Sequence, residues 1–171
     1  PDRGLARPVT TVGVVGAGLM ASQLALLFAR RLQVPVVLTD LDQGRVDMGV
    51  DYVHGEIDKL TAKGRLTQDK ANRYKSLVSG SVEKAEVFAD ADFVIEAVFE
   101  EMKVKKAVFH DVEKVVSPEC VLATNTSSLS ITEMAADLEH PERVVGFHFF
   151  NPVAVMPLLE IVHGDLTDDA T

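Results

Sequence analysis

Short apolar runs alternate along the chain with segments in which apolar residues recur every three or four positions. Continuous apolar runs are typical of strands buried in a parallel sheet, and the wider spacing is typical of amphipathic helices. The runs that predict strands are Val12–Val15, Val34–Asp40, Ala91–Val98 and Val121–Thr124. The segments that predict helices are roughly 19–33, 44–62, 67–76, 101–116 and 131–138. This alternation predicts an α/β fold with a doubly wound, mostly parallel sheet.

Some segments of the pattern leave alternatives open. Leu77–Gly80 and Ala85–Val87 are each candidates for a short strand or a turn. The two helices between residues 44 and 76 are longer than a crossover between parallel strands requires. They either form a helical hairpin that extends away from the sheet or pack against the core in the ordinary way. We favour packing against the core for most of their length.

The last two apolar segments, Val144–Phe150 and Leu158–His163, are joined by a short connection. The connection is too short for a crossover helix, so the segments are expected to form antiparallel neighbouring strands. If the connection folds symmetrically about Ala154, His148 and Glu160 lie opposite each other on the same face of the sheet.

A glycine-rich turn follows the first predicted strand and opens the first predicted helix. In the pattern G-x-G-x-x-G/A, the first glycine permits a tight turn, the second permits close approach of a pyrophosphate, and the third small residue permits close packing of the helix. The alternative is a glycine-rich turn without a ligand. We predict a Rossmann-type dinucleotide site formed by Gly16, Ala17, Gly18, Leu19, Met20 and Ala21.

Asp40 ends the second predicted strand, roughly 20 residues after the glycine turn. An acidic residue at this place is expected to accept hydrogen bonds from the adenosine ribose hydroxyls of NAD, and its charge would repel the additional phosphate of NADP. The alternative is a simple acid at the end of a strand. We therefore predict NAD as the cofactor.

Composition narrows the class of protein. Hydrophobic residues make up 47% of the chain and charged residues 25%, and the net charge is −9, with no basic patch that favours nucleic acid. The chain has one cysteine, Cys120, which suits a reducing compartment and is expected to be a buried, inert thiol. No membrane span, signal peptide or metal site is predicted. The expected location is the cytoplasm, with an organelle matrix as the alternative.

The facing pair His148 and Glu160 is a candidate for acid–base chemistry. An imidazole can take up a proton near neutral pH, and a carboxylate on its other nitrogen sets the tautomer and stabilises the imidazolium. The alternative is a histidine that is satisfied within the core.

Four motifs together resemble the NAD-binding domain of L-3-hydroxyacyl-CoA dehydrogenases. They are G-x-G-x-x-A with its downstream aspartate, IEAVFE, NTSSLSI and GFHFFNPVAVMPLLEIV, and the resemblance runs from about Thr10 to Gly164. These dehydrogenases occur as separate enzymes and within multifunctional fatty acid oxidation proteins. The resemblance implies NAD-dependent oxidation of L-3-hydroxyacyl-CoA to 3-oxoacyl-CoA, in fatty acid beta-oxidation or its reverse. The alternatives are a non-catalytic dinucleotide-binding module of the same fold and a dehydrogenase of a free 3-hydroxy acid.

The resemblance also implies roles for residues at the reacting end of the site. His148 would be the base that takes the 3-hydroxyl proton, and Glu160 would hold and polarise it. Ser127 would bond the substrate oxygen near the nicotinamide. Asn151 would position the substrate or the nicotinamide.

Further roles implied by the resemblance concern the cofactor and coenzyme A. Glu100 and Lys105 correspond to positions that contact the cofactor. Asp40 and the glycine turn would hold its adenosine and pyrophosphate half. Lys63 corresponds to a position that touches the coenzyme A moiety of the acyl-CoA substrate.

The predicted domain organisation is a linker or tail over residues 1–9 and an NAD-binding domain over residues 10–171. The resemblance implies that a helical domain, which closes over the acyl chain and forms most of the dimer contact, follows this domain in the family, and we expect that domain to be absent from this sequence. We therefore expect the chain to bind NAD and to turn over poorly alone. The linker-like start favours a multifunctional parent with a hydratase domain upstream, and the resemblance implies that the parent can form a homo-oligomer. Apolar surface left for the helical domain is expected around Phe150, Val153, Val155 and Met156.

Overall fold

A computed structural model describes residues 2–171 and contains one seven-stranded sheet. Its strands are β1 (Val12–Val15), β2 (Val36–Thr39), β3 (Val78–Gly80), β4 (Phe93–Glu96), β5 (Val121–Thr124), β6 (Val144–Phe149) and β7 (Leu159–His163). Their order across the sheet is β3-β2-β1-β4-β5-β6-β7. All neighbours are parallel except β6 and β7, which are antiparallel. The predicted doubly wound α/β fold with an antiparallel C-terminal hairpin is confirmed.

Helices cover both faces of the sheet because each has one apolar stripe. They are α1 (Leu19–Arg31), α2 (Gln43–Ala62), α3 (Gln68–Leu77), α4 (Lys84–Phe88), α5 (Met102–Glu113) and α6 (Ile131–Ala135), with short 3₁₀ turns at Arg3–Leu5 and Pro141–Arg143. One core cluster contains Leu24 of α1 and Ile57 of α2, and a second contains Phe109 of α5 and Leu122 of β5.

Two of the open alternatives are resolved by packing. Val53 and Ile57 of α2 are fully buried, so this long helix is part of the core, as we favoured. Ala85–Val87 is neither a strand nor a turn but lies within α4. Here a helical turn allows Val87 and the adjacent Phe88 to be buried together while Glu86 stays exposed. A strand would place those two neighbours on opposite faces.

The C-terminal hairpin has the predicted register. His148 of β6 pairs with Glu160 of β7, and Phe147 pairs with Ile161. Because side chains alternate across a strand, Phe147 and Phe149 lie on the opposite face from His148. There they join an edge-to-face cluster with Phe28 and Phe93, with ring centroids 5.2–6.1 Å apart. This cluster fixes the face of β6 on which the histidine lies.

Within residues 2–171, no helix has the length and apolar character needed to cross a membrane. The expected apolar surface after β6 is present only in part. Val155 and Met156 are exposed to 73% and 41%, but Phe150 is half-buried and Val153 is only 6% exposed. The expectation is wrong for Val153, because its backbone N–H donates to Gln23 Oε1 of α1 at 2.9 Å and its side chain joins the core.

Candidate functional site

Two cavities lie at the carboxyl ends of the central strands. The larger has a volume of about 400 Å³ and follows β1, β2 and β4, and the smaller has about 330 Å³ and follows β4, β5 and β6. Ala97 and Val98 line both cavities, so the connection from β4 to α5 forms the wall between them. The strand order reverses between β1 and β4, which is where doubly wound sheets bind ligands.

The glycine turn lines the larger cavity. Gly16 has a positive φ of 115°, and a Cβ there would lie 3.1 Å from the carbonyl oxygen of Ala97. Gly18 is the N-cap of α1 and has no side chain to cap it, so the first N–H groups of that helix remain available as donors. These features fit the pyrophosphate of a dinucleotide. Ala21 is fully buried, and its Cβ would be 3.4 Å from a Cβ at Gly16.

Asp40 lies at the rim of the same cavity, with its carboxylate turned towards the glycine turn. Its Oδ2 accepts from the Ala17 N–H at 2.8 Å, and its Oδ1 accepts from the Leu41 N–H at 2.6 Å. Each carboxylate oxygen has two lone pairs, so both can still accept a ribose hydroxyl. The Arg45 guanidinium lies 3.9 Å from Oδ1. The cavity therefore fits the adenosine half of NAD.

The smaller cavity contains the predicted histidine. His148 Nδ1 lies 2.9 Å from Glu160 Oε2, and the imidazole is 14% exposed. An ionised carboxylate can only accept, so Nδ1 carries the proton and Nε2 is left to accept from a ligand. The Phe150 ring packs against the imidazole with centroids 4.6 Å apart. The predicted pairing of His148 with Glu160 is confirmed, and the arrangement can serve as a general base.

Polar residues from three connections surround the histidine. Ser127, Asn151 and Glu100 all line the smaller cavity, as does Met20 of the glycine turn. Ser127 and Asn151 are exposed, so their polar groups are accessible to a ligand. Leu19 is 56% exposed and lines neither cavity among the described residues.

The carboxylate of Glu100 is held in place by the loop after β5. It accepts from the hydroxyl of Thr126, which in turn accepts from the N–H groups of Ser128 and Leu129 at 3.3 and 3.0 Å. Because those two N–H groups occupy the hydroxyl's acceptor side, its proton is directed to Glu100. Lys105 also lines this cavity, but its side chain is only 1% exposed.

The structure does not bring Lys63 to the cavities. It is the C-cap of α2 and is exposed, and in the described chain it lines neither cavity. Other residues of the site were not predicted, among them Met48 and Phe99, which line the larger cavity with 72% and 77% exposure. Met48 lies beside Asp47 in the sequence, and an apolar residue on an otherwise polar helix face was a signal that could have indicated it. Asn125, the first residue of the NTSSLSI motif, was not predicted as a site residue, and its Oδ1 accepts from the Phe149 N–H at 2.9 Å.

Comparison with known proteins gives a consistent set of relatives. The family model described as 3-hydroxyacyl-CoA dehydrogenase, NAD binding domain, matches residues 11–171. The chain is 38% identical over 167 residues to a 3-hydroxybutyryl-CoA dehydrogenase of Bradyrhizobium diazoefficiens, covering 98% of this chain and 56% of that protein. It is 40% identical over 163 residues to a peroxisomal fatty acid beta-oxidation multifunctional protein of Arabidopsis thaliana, covering 94% and 22%.

Solved structures show the same fold. The crystal structure of 3-hydroxybutyryl-CoA dehydrogenase from Escherichia coli aligns with a TM-score of 0.91 and 37% identity, over 95% of this chain and 34% of that chain. That of (S)-3-hydroxybutyryl-CoA dehydrogenase from Ralstonia eutropha gives 0.89 and 35%, over 95% and 56%. The chain thus spans between about a fifth and somewhat more than half of these relatives.

Proposed function

Because this chain belongs to the 3-hydroxyacyl-CoA dehydrogenase NAD-binding domain family, we propose that it carries the cofactor site and the catalytic base of an enzyme. That enzyme oxidises L-3-hydroxyacyl-CoA to 3-oxoacyl-CoA. The observation that carries the proposal is the 2.9 Å contact of His148 Nδ1 with Glu160 in the smaller cavity, which adjoins the larger cavity lined by the glycine turn. Residues 10–171 form the NAD-binding domain in this proposal. The names of the relatives support a coenzyme A thioester as the substrate class.

The chemistry of the proposed reaction divides between protein and cofactor. Bound NAD supplies the hydride acceptor. His148 Nε2 takes the proton from the oxygen of the 3-hydroxyl group, while the carbon that bears this oxygen gives up a hydride to the acceptor. Glu160 stabilises the imidazolium that results. In the reverse direction the imidazolium returns its proton to the substrate oxygen.

The remaining polar residues position the reactants. The Ser127 hydroxyl bonds the substrate oxygen, and the Asn151 amide orients the substrate or the nicotinamide. Glu100, which is fixed by Thr126 and lines the smaller cavity, would contact the cofactor. Lys63, exposed at the end of α2, contacts the coenzyme A moiety.

Substitution of the histidine tests the catalytic proposal. In a parent protein that also carries the family's helical domain, His148→Gln should lower the rate of acetoacetyl-CoA reduction, followed by NADH absorbance, by about 10²- to 10⁴-fold, because the base is lost. NADH affinity, measured by calorimetry, should stay within about twofold because the adenosine site is untouched. A variant with the wild-type rate contradicts the assignment of His148.

A second candidate function is dinucleotide binding without turnover. It requires only the cavity lined by the glycine turn and Asp40. It predicts that the wild-type chain binds NADH but does not reduce acetoacetyl-CoA.

Inhibition by free coenzyme A distinguishes a thioester substrate from a free 3-hydroxy acid, since only a site for the thioester is blocked by coenzyme A.

A further inference from the structure

An ion pair lies buried beneath the wall between the two cavities. Lys105 of α5 and Glu96 at the end of β4 are 1% and 0% exposed, and Lys105 Nζ lies 2.8 Å from both carboxylate oxygens of Glu96. The hydroxyl of Thr124, at the end of β5, also donates to Glu96. We refer to Glu96, Lys105 and Thr124 as the buried clamp.

The buried clamp holds the wall by its backbone. The Val98 N–H donates to Glu96 Oε2 at 3.1 Å, and the Val98 carbonyl oxygen lies 3.4 Å from Lys105 Nζ. Both polar backbone groups of one wall residue are therefore held by the same ion pair. The ammonium has an acceptor for each of its three protons.

The same clamp reaches the loop that carries Ser127. Thr124 Oγ1 accepts from the Thr126 N–H at 3.2 Å, and Thr126 holds Glu100. The loop is tied to the histidine strand as well, because Asn125 accepts from the Phe149 N–H. One buried group of charges is thus connected to the wall and to the polar rim of the smaller cavity.

A contribution to stability alone does not explain this group. Removing two charges from water is costly, and a protein with well-packed apolar residues in place of a buried ion pair is often as stable or more stable. What an ion pair adds over apolar residues is direction, because each donor and acceptor has a fixed geometry.

We propose that Glu96 and Thr124 are positioning residues for the nicotinamide half of the cofactor, which they position by fixing Val98 and the loop after β5. The inference rests on the proposed function in that it requires NAD to extend from the larger cavity into the smaller one. The adenosine half would lie against the glycine turn and Asp40, which make no hydrogen bond to the clamp within the described residues, and it shares with the nicotinamide half only the wall residues Ala97 and Val98. Disturbing the clamp should therefore weaken binding of the nicotinamide half much more than binding of the adenosine half.

The Thr124 hydroxyl offers a matched pair of variants. Thr124→Val keeps the shape of the side chain and removes the hydroxyl, and Thr124→Ser keeps the hydroxyl. Affinity is measured by calorimetry with two probes, NADH and ADP, of which ADP lacks the nicotinamide half. Thr124→Val should weaken NADH binding by about tenfold, the scale of one lost hydrogen bond to a charged group, and leave ADP binding within about twofold. Thr124→Ser should bind both probes within about twofold of wild type.

A second variant removes both charges of the buried ion pair, and Glu100, whose Oε2 lies 4.0 Å from Lys105 Nζ, keeps its hydrogen bond from Thr126. Glu96→Gln combined with Lys105→Met is neutral and similar in volume, so the fold should be retained. It should lose at least about tenfold in NADH affinity, retain ADP affinity, and show a weaker enhancement of bound NADH fluorescence. Wild-type NADH affinity in this variant and in Thr124→Val, or a parallel loss of NADH and ADP binding, would overturn the inference. A wild-type chain that binds ADP but not NADH would overturn the proposed function and this inference with it.

Discussion

Helix α2 touches the glycine turn at Gly49, and this contact gives a quantitative prediction. A Cβ built on Gly49 would lie 2.8 Å from Ala17 Cβ, 3.1 Å from the Ala17 carbonyl oxygen and 3.2 Å from Ala17 Cα. These atoms belong to the backbone or are fixed to it, so the turn itself must move in Gly49→Ala. Overpacking of this kind costs about 1–3 kcal/mol, whereas alanine gains about 1 kcal/mol in helix propensity. The net free energy of unfolding should fall by up to about 2 kcal/mol.

The functional effect of Gly49→Ala should exceed its effect on stability. Ala17 lines the larger cavity, and its N–H donates to Asp40 at 2.8 Å, so a displaced turn misplaces both the pyrophosphate site and the ribose carboxylate. We expect NADH affinity to fall by about tenfold or more, since misplacement by a fraction of an ångström weakens several hydrogen bonds together.

Gly55 provides the matched control because it lies in the same helix and a Cβ there would meet nothing within 4 Å. Gly55→Ala should raise the free energy of unfolding by up to about 1 kcal/mol, equivalent to about 2–4 °C in Tm, with unchanged NADH affinity. The assays are thermal unfolding by circular dichroism and NADH calorimetry. If Gly49→Ala were stabilised like Gly55→Ala and bound NADH equally well, the contact with Ala17 would not matter and the reasoning would be wrong.

Three further predictions concern single side chains. Glu160→Gln should lower acetoacetyl-CoA reduction by about 10²-fold and leave NADH affinity unchanged, because an amide cannot stabilise the imidazolium as a carboxylate does; wild-type turnover would contradict this. Burial raises the pKa of the Cys120 thiol to about 12, so iodoacetamide should alkylate it at pH 8 in guanidinium chloride but not in the folded chain, as followed by mass spectrometry. Burial raises the pKa of Glu113, but hydrogen bonds from two backbone N–H groups and from Arg143 outweigh it and hold that pKa below 4.5. The stability that Glu113 contributes is therefore present above about pH 4.5 and lost as pH falls through its lower folded pKa. Glu113→Gln should make the free energy of unfolding, measured in urea, less dependent on acid pH. An equal pH dependence in the variant and the wild type would refute this prediction.

The helices and strands with long, regular patterns could be predicted well from the sequence. The spacing of Ser130 and Glu133 is typical of a helix start, and the Ser130 Oγ does accept from the Glu133 N–H at 3.1 Å, which caps the helix that begins at Ile131. The α4 segment could not be predicted, because a short apolar run satisfies the spacing of a strand and of a helical turn equally. Only the position of Val87 and Phe88 against the sheet decides between them.

The residues of the candidate site likewise divide into those that could be predicted from the sequence and those that could not. His148 and Glu160 could be paired from the sequence because the length of the connection between two strands fixes their register. The burial of Lys105 could not be foreseen, since its partner Glu96 comes from another element and a lysine on a helix is usually exposed. The burial of Val153 depends in the same way on Gln23, which is far from it in the sequence.

The sequence by itself therefore determined the long helices and the strands of the sheet's centre, the glycine turn with Asp40, and the hairpin that joins His148 to Glu160. Periodicity and short connections act between near neighbours in sequence, so a local pattern specifies these features. Only the tertiary structure decided how closely Gly49 approaches Ala17, which charges are buried at Glu96 and Lys105, and how the two cavities share one wall. Those features arise where distant segments meet, and their free energies depend on distances and on exclusion of water that no local pattern specifies.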